Sequence, residues 1–320
     1  LIGKGYNFFS HSDTEVILKA YHHWGEECVM HLDGMFAFAI WDQAKQQLFI
    51  ARDRMGIKPF YYSLSDKAIT FASNPQALLT QNIDKSINPI ALQQQLSLHG
   101  VVPAPNTIIN GIRKVKPATT ITINKNGKFV EKTYWNPVAQ RPIEKLSDAE
   151  YIEKTHELLT EAVMKRMQAA DVPIGVLLSG GLDSSLLVGL LHEAGHQDIR
   201  TFSIGFEDID DEAGSEFEYS DQIVKKFNTK HEKYIVSNAD VLPRLSEAVA
   251  NMAEPMVGQD AVAFYLLSEQ VSKHIKVVLS GQGADEAFAG YFWYPKMNSE
   301  QAINLAIDEI IKDHNHERSK

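Results

Sequence analysis

Cysteine is almost absent from these 320 residues. The single Cys28 rules out an intrachain disulfide and fits a reducing, cytoplasmic setting. No apolar run approaches the roughly 18 residues that a bilayer-spanning helix needs, so no membrane partner is expected. No apolar core follows Leu1-Ile2-Gly3-Lys4, which excludes a signal peptide there. No methionine opens the chain, so a fragment or a processed chain is expected. A basic surface is missing too: 41 acidic residues against 31 Lys and Arg leave a net charge of −10. That argues against a general nucleic-acid binder. It does not exclude a nucleotide, whose phosphates can be held by backbone dipoles and metal ions. Internal repeats and low-complexity tracts are also absent.

What is there is a soluble globular composition, 44% hydrophobic and 22% charged. The length predicts two domains of ordinary size. Asp13 is placed to cap a helix whose apolar positions Val16, Ile17, Ala20, Tyr21 and Trp24 recur at helical spacing. Strand-like runs follow at residues 35–41, 47–51, 60–63 and 69–72, separated by turn residues, and predict an antiparallel meander. A short helix near residues 88–98 and a hairpin of 119–123 with 128–134 come next. Residues 136–145 carry two prolines and little periodicity, which places the linker there.

From about residue 147 the pattern changes to strand–helix alternation. A long amphipathic helix over 148–168 precedes strands at 174–178, 201–204, 233–236 and 276–279, with helices at 184–194, 219–227, 240–251 and 261–273. Short apolar strands with intervening helices imply a parallel sheet covered on both faces.

The strand at 174–178 runs into Ser179-Gly180-Gly181-Leu182-Asp183-Ser184-Ser185 and then directly into a helix. Two glycines let backbone N–H groups close around an anion, and the helix start adds unpaired N–H groups with a positive dipole end. The hydroxyls of Ser179, Ser184 and Ser185 are further donors. No Lys-Ser/Thr pair follows, so this is not a Walker loop. A carboxylate at Asp183 repels phosphate, and a bridging Mg²⁺ resolves that conflict.

These residues are recognisable. The heptad resembles the pyrophosphate loop of the N-type ATP pyrophosphatases. The preceding Asp171-Val172-Pro173-Ile174-Gly175-Val176-Leu177-Leu178 narrows the resemblance to the asparagine synthetase family. Thr201-Phe202-Ser203-Ile204-Gly205-Phe206 looks like that family's adenine-pocket strand. Leu279-Ser280-Gly281-Gln282-Gly283-Ala284-Asp285-Glu286, continued by Phe288-Ala289-Gly290-Tyr291, looks like its second active-site loop. The resemblance implies that Ser179, Gly180, Gly181, Asp183, Ser184 and Ser185 hold the ATP phosphates, with Ser280 beside them. It implies that Leu178, Ile204 and Gly281 contact the adenosine, and that Asp183 and Asp285 share Mg²⁺. A substrate carboxylate then attacks the α-phosphorus, and ammonia displaces AMP from the acyl-adenylate.

The first 80 residues resemble the later part of a class II glutamine amidotransferase domain, through Ser12-Asp13-Thr14-Glu15, the stretch 33–42 and Arg52-Asp53-Arg54-Met55-Gly56-Ile57-Lys58-Pro59. The resemblance implies an incomplete N-terminal-nucleophile-hydrolase-like α+β part, with Asp13 binding the α-amino group of glutamine. An α/β parallel-sheet ATP pyrophosphatase domain would follow it. The domains expected are 1–140, with the connector, and 146–320. The family's nucleophile is an N-terminal cysteine. The chain opens at Leu1, and Cys28 reads as a packing residue, so the polypeptide as written is expected to lack glutaminase activity. The family also supplies a lysine from further downstream; Lys296 does not match that role.

Gln282 stands where many asparagine synthetases have an acid. A neutral amide holds an ammonium group less well than a carboxylate does, which points to a substrate with a blocked amine. Residues 254–257, 263–268 and 292–295 resemble the bacterial N-acetylglutaminylglutamine amidotransferase branch. Plain asparagine synthesis on aspartate is the alternative. The partners expected are glutamine or ammonia and a carboxylate substrate; a homodimer is kept as an expectation, although no residue pattern fixes it. Sulfur-transfer or tRNA-modifying enzymes with the same loop type favour basic surfaces or paired cysteines. A nucleotide-binding protein without catalysis is the reading from another class.

Overall fold

The computed structural model describes residues 1–320 except 66, 99, 138–144, 209–213, 257–259, 292–293 and 295–320. It divides into two compact units: Leu1–Ile143 together with Ser246–Gly258, and Glu144–Leu245 together with Gln259–Lys320. A division at one point near residue 140 does not place Ser246–Gly258 with the first unit. Lys296 and most of the expected linker lie outside the described residues.

In the first unit, α1 (Asp13–Trp24) is capped by Ser12, whose hydroxyl accepts the Thr14 N–H at 3.2 Å. Asp13, expected as the cap, is instead the first helical residue, and it accepts the same N–H at 2.7 Å. Four strands follow: β1 (Ala37–Asp42), β2 (Gln47–Arg52), β3 (Tyr61–Leu64) and β4 (Ile69–Ala72). They do not form one meander. β1 and β2 pair with each other, and β2 pairs onward with β6 (Thr119–Asn124) of a hairpin completed by β7 (Phe129–Thr133), in the order β1-β2-β6-β7; β4, β3 and β5 (Arg113–Lys114) form a separate antiparallel sheet. Between β4 and that hairpin lie α2 (Pro75–Leu78), α3 (Pro89–Ser97) and β5.

The turn after β2 explains the split. The buried carboxylate of Asp53 accepts N–H groups from Phe36, Met55, Ile57 and Lys58 at 2.9–3.2 Å. The guanidinium of Arg52 donates to the carbonyls of Lys58, Gly56 and Val115. Side chains therefore satisfy several backbone groups between β2 and β3, beside main-chain bonds of Asp53 with Phe36 and Ala118 and of Phe60 with Val115.

β2 then serves two cores through its two faces. Phe49 and Ala51 pack with Ala20, Tyr21, Cys28 and Val29; Ile50 packs with Phe60, Tyr62, Val115 and Ile121. Cys28 is fully enclosed, and burial pushes its thiol up to about 11, which keeps it inert.

Residues 252–255 are gripped within this unit by four side chains. Gln76 Nε2 donates to the Met252 carbonyl and Gln95 Nε2 to the Pro255 carbonyl, the latter at 3.0 Å. Tyr61 Oη donates to Glu254 at 2.8 Å, and Lys114 Nζ pairs with the other oxygen of Glu254 at 2.7 Å.

The second unit opens with α4 (Asp148–Gln168), held at its start by a reciprocal capping box of Ser147 and Glu150. Then come β8 (Ile174–Leu177), α5 (Leu182–Glu193), β9 (Arg200–Phe206), α6 (Phe217–Phe227) and β10 (Lys230–Val236). They are followed by α7 (Asn238–Asn251), α8 (Asp260–Val271), β11 (Val277–Leu279) and α9 (Ala284–Phe288). The four strands are all parallel, in the order β10-β9-β8-β11. Val176 and Leu178 pack under α4 and α5 with Val163, Val188 and Leu191, whereas Leu177 and Phe202 pack under α8 with Leu267 and Val271. Helices therefore cover both faces of the sheet.

From β8 the chain winds outward to β10, then crosses to the other side of β8 at β11. Such a reversal opens a crevice at the carboxyl ends of β8 and β11. Among the described residues, no helix is long and apolar enough to cross a membrane.

Candidate active site

The crevice between β8 and β11 holds a cavity of about 610 Å³, within the usual range for small-ligand sites. Leu178, Ser179, Gly181, Asp183, Ser184, Ile204, Ser280, Gly281, Gln282 and Asp285 line it. Of the residues expected in the site, Gly180 and Ser185 do not line it, and Asp13 belongs to the first unit.

The loop after β8 is held by its own hydroxyls. Ser184 Oγ lies 3.0 Å from Ser179 Oγ and accepts the Ser179 N–H at 3.2 Å, while Ser179 Oγ accepts the Gly181 N–H at 3.2 Å. These bonds preset the turn, so it needs little reorganisation on binding. Gly180 sits at φ +88°, and a Cβ there would lie 2.6 Å from the Ser220 nitrogen and 2.6 Å from Tyr219 Cβ. Its task is to let α6 approach the loop, not to touch a ligand. α5 begins at Leu182, and its N-cap Gly181 has no side chain to cap the first N–H groups of the helix. Ser185 Oγ is enclosed with no partner among the described residues, one turn into the helix.

The second loop closes against the first. A Cβ on Gly281 would fall 2.9 Å from Asp183 Cβ and 3.0 Å from the Ser184 nitrogen, so only glycine fits. Burial raises the Asp183 carboxyl above its ordinary value, and the nearby charge of Asp285 raises it further. The described lining contains Asp183, Glu216, Asp285 and Glu286 and no Lys, Arg or His. Two mutually repelling carboxylates in an acidic cavity suit a divalent cation. Among the described residues no group of three or more His, Cys, Asp or Glu is placed to hold a metal ion.

The opposite wall is apolar: Leu177, Ile204, Phe206, Phe217, Phe264 and Leu267. Leu178 donates its N–H to the Phe202 carbonyl at 2.8 Å. By the two-residue alternation of a strand, the next backbone groups on that edge of β9 are those of Ile204, beyond the end of β8. Cavity residues that motif reading left without a role include Ser215, Glu216, Phe217, Phe264, Leu267 and Tyr291. Phe264 and Leu267 share a helical face, but no local signal says that this face lines a cavity.

In the first unit, Asp13 is exposed, whereas its neighbour Glu15 is buried. Burial alone would raise the Glu15 carboxyl. Hydrogen bonds from Lys19, from the Ser10 side chain and from the Phe9 and Ser10 amides outweigh it and hold the pKa at about 2.

A half-buried imidazole on β10, His231, gives a pH test. His231 Nδ1 lies 2.9 Å from Thr201 Oγ1, and its Nε2 is enclosed without a partner among the described residues. Burial and then nearby Lys233 lower its pKa below the ordinary 6.5. The unfolded chain takes up a proton first as pH falls, so this contribution to stability is full above about 6.5 and lost as pH drops through the folded value. The urea midpoint is expected to be lower at about pH 5.5 than at about pH 7.5, and His231→Gln should shrink the difference. An unchanged difference in that variant would assign the pH effect elsewhere.

The parallel sheet with a glycine turn at its switch point defines the second unit as an open α/β domain with a crevice at that point. Residues 154–319, more than half of the chain, match the family model described as asparagine synthase, and residues 1–135 match that of a glutamine amidotransferase domain. The chain belongs to the asparagine synthase family. It is 35% identical over 294 residues to glutamine-hydrolysing asparagine synthetase 1 of Bacillus subtilis (strain 168), covering 92% of this chain and 45% of that relative. Asparagine synthetase 3 of the same organism is 34% identical, with 98% and 54% covered. A putative asparagine synthetase 2 of Methanocaldococcus jannaschii is 36% identical, with 88% and 54% covered. The chain spans about half the length of these curated relatives.

Proposed function

We propose that this chain carries the synthetase site of an ATP-dependent amidotransferase, a ligase that turns a substrate carboxylate into an amide with nitrogen from glutamine or ammonia. The observation that carries the reading is the preset turn 179–185 facing Ser280–Asp285 across the switch-point cavity. The substrate carboxylate attacks the α-phosphorus of ATP. Pyrophosphate departs toward the Ser179, Gly181 and Ser184 cradle at the start of α5, where N–H groups aimed in advance stabilise the growing charge. Mg²⁺, when held by Asp183 and Asp285, would neutralise the phosphate oxygens. The free edge of β9 at Ile204 and the apolar wall fit the adenine. Ammonia then attacks the acyl carbon and AMP leaves. In the first unit, Asp13 is assigned to the α-amino group of glutamine.

The acceptor we favour is N-acetylglutaminylglutamine. Gln282 lies exposed at the cavity, its own N–H donated to Ser280 Oγ at 3.3 Å, and it offers no charge to an ammonium group. Aspartate is the second reading, favoured by the names of the curated relatives. The test measures pyrophosphate release by the full-length protein with ATP, Mg²⁺ and ammonia, offering each acceptor in turn. Release with the capped dipeptide alone is the expected result, and Gln282→Glu should lower it by roughly tenfold. Release with aspartate alone would sink the capped-dipeptide reading. Silence with both would sink the synthetase reading.

A further inference from the structure

Residues 7–11 lie just ahead of α1, and among the described residues no main-chain hydrogen bond holds them. Two side chains of the helix set their shape instead. Glu15, in the first turn, folds back over the segment. Its Oε1 accepts the Phe9 N–H at 3.1 Å, and its Oε2 accepts the Ser10 N–H at 2.8 Å and the Ser10 hydroxyl at 2.5 Å. Lys19, one turn further on, donates to Glu15 Oε1 and to the Asn7 carbonyl. Its ammonium lies 4.5 Å from the centre of the Phe8 ring and 4.8 Å from that of Phe9. Four donors thus fill the four lone-pair sites of a buried carboxylate.

The bonds continue to Asp13. Ser10 Oγ accepts the Ser12 N–H at 3.3 Å, Ser12 Oγ accepts the Thr14 N–H at 3.2 Å, and Asp13 Oδ1 accepts that same N–H at 2.7 Å. The hydroxyls of Ser12 and Thr14 also reach Oδ1, at 3.5 and 3.4 Å. Asp13 Oδ2 has no bond among the described residues, and Asp13 is exposed. Two carboxylates within one turn of α1 therefore stand in opposite circumstances. That of Glu15 is enclosed and paired with Lys19, and that of Asp13 is open to an incoming ammonium group.

We propose that Glu15 is a positioning residue of the glutamine site: with Lys19 it straps residues 7–12 to the start of α1 and so presents Asp13 Oδ2 to the α-amino group of glutamine. This rests on the assignment of Asp13 above. Glu15 does not compete for that ammonium group, because its acceptor sites are taken and Lys19 offsets its charge. The strap is made before glutamine arrives and stays the same while nitrogen is released. It therefore governs binding and leaves the chemical step alone.

The experiment measures glutamate release against glutamine concentration in the full-length protein. Glu15→Gln sets an NH2 donor among groups that are all donors. It should raise KM for glutamine about tenfold and change kcat by less than about threefold. Ser10→Ala keeps both N–H bonds to Glu15, cuts only the hydroxyl link to Ser12, and should raise KM about threefold. A mere loss of folded protein would lower kcat and leave KM alone. An unchanged KM in Glu15→Gln, or in Ser10→Ala where the first variant does not fold, would overturn the role of Glu15. Asp13→Asn tests the reading beneath it, with KM expected to rise about tenfold or more. An unchanged KM there, or no glutamate release by the wild-type protein, would overturn the assignment of Asp13 and the purpose of the strap with it.

Discussion

Gly180→Ala is expected to abolish pyrophosphate release and to destabilise the second unit by about 2–4 kcal/mol. Two terms add. At φ +88° an alanine is strained by its own backbone, and its Cβ would be forced to 2.6 Å from both the Ser220 nitrogen and Tyr219 Cβ. Ser220 is buried, so the first turn of α6 cannot move aside freely. Relief must come from the 179–181 backbone, the part that aims N–H groups at the departing pyrophosphate, and a misaimed donor set costs roughly a hundredfold or more in rate. Gly195 is the control. It has φ +90° with nothing within 4 Å, so Gly195→Ala carries only the backbone term, about 1 kcal/mol. Pyrophosphate release and urea unfolding of both variants give the comparison. Near-wild-type release by Gly180→Ala would remove the turn from the site.

Glu254→Ala is expected to lower the stability of the first unit by about 2–4 kcal/mol. Lys114 and Glu254 are only 13% and 21% exposed, so their pair is little screened by water. Removing the carboxylate also strands the phenol of Tyr61, whose pKa burial and then the bond to Glu254 push upward. Lys114 keeps the Val102 carbonyl. Glu254→Gln preserves an acceptor for Tyr61 and should cost about 1 kcal/mol. Equal midpoints for the alanine and glutamine variants would mean that the phenol contributes nothing.

Local chemistry made parts of this molecule readable. α4 was legible because of the amphipathic pattern over 148–168; the capping box of Ser147 and Glu150 was seen only in the structure. The turn at 179–185 was legible because the whole heptad, and not the paired glycines alone, follows an apolar strand and opens a helix. The partition of the first strands into two sheets was not legible. β2 pairs with β6 across some seventy residues, and the cause lies in Asp53 and Arg52 turning inward to bind backbone. Charged residues with long-range partners escaped for the same reason. Helical spacing put Val16 inside α1, yet it is 40% exposed while Glu15 is buried, because the amides of Phe9 and Ser10 need an acceptor. Glu254 stands some 140 positions from Lys114, and no window of sequence joins them. The cavity walls contributed by α6 and α8 depend on how those helices pack on the sheet.

The placement of Ser246–Gly258 bears on how such proteins recombine. A crossover that swaps residues 1–143 between two relatives would carry the glutamines, the tyrosine and the lysine of the grip from one parent, and residues 252–255 from the other. The two units are written in interleaved order, so neither is a cassette. A hybrid that keeps its first unit intact needs two exchanged stretches, and single-crossover chimeras will pass only where both parents share the Glu254 contacts.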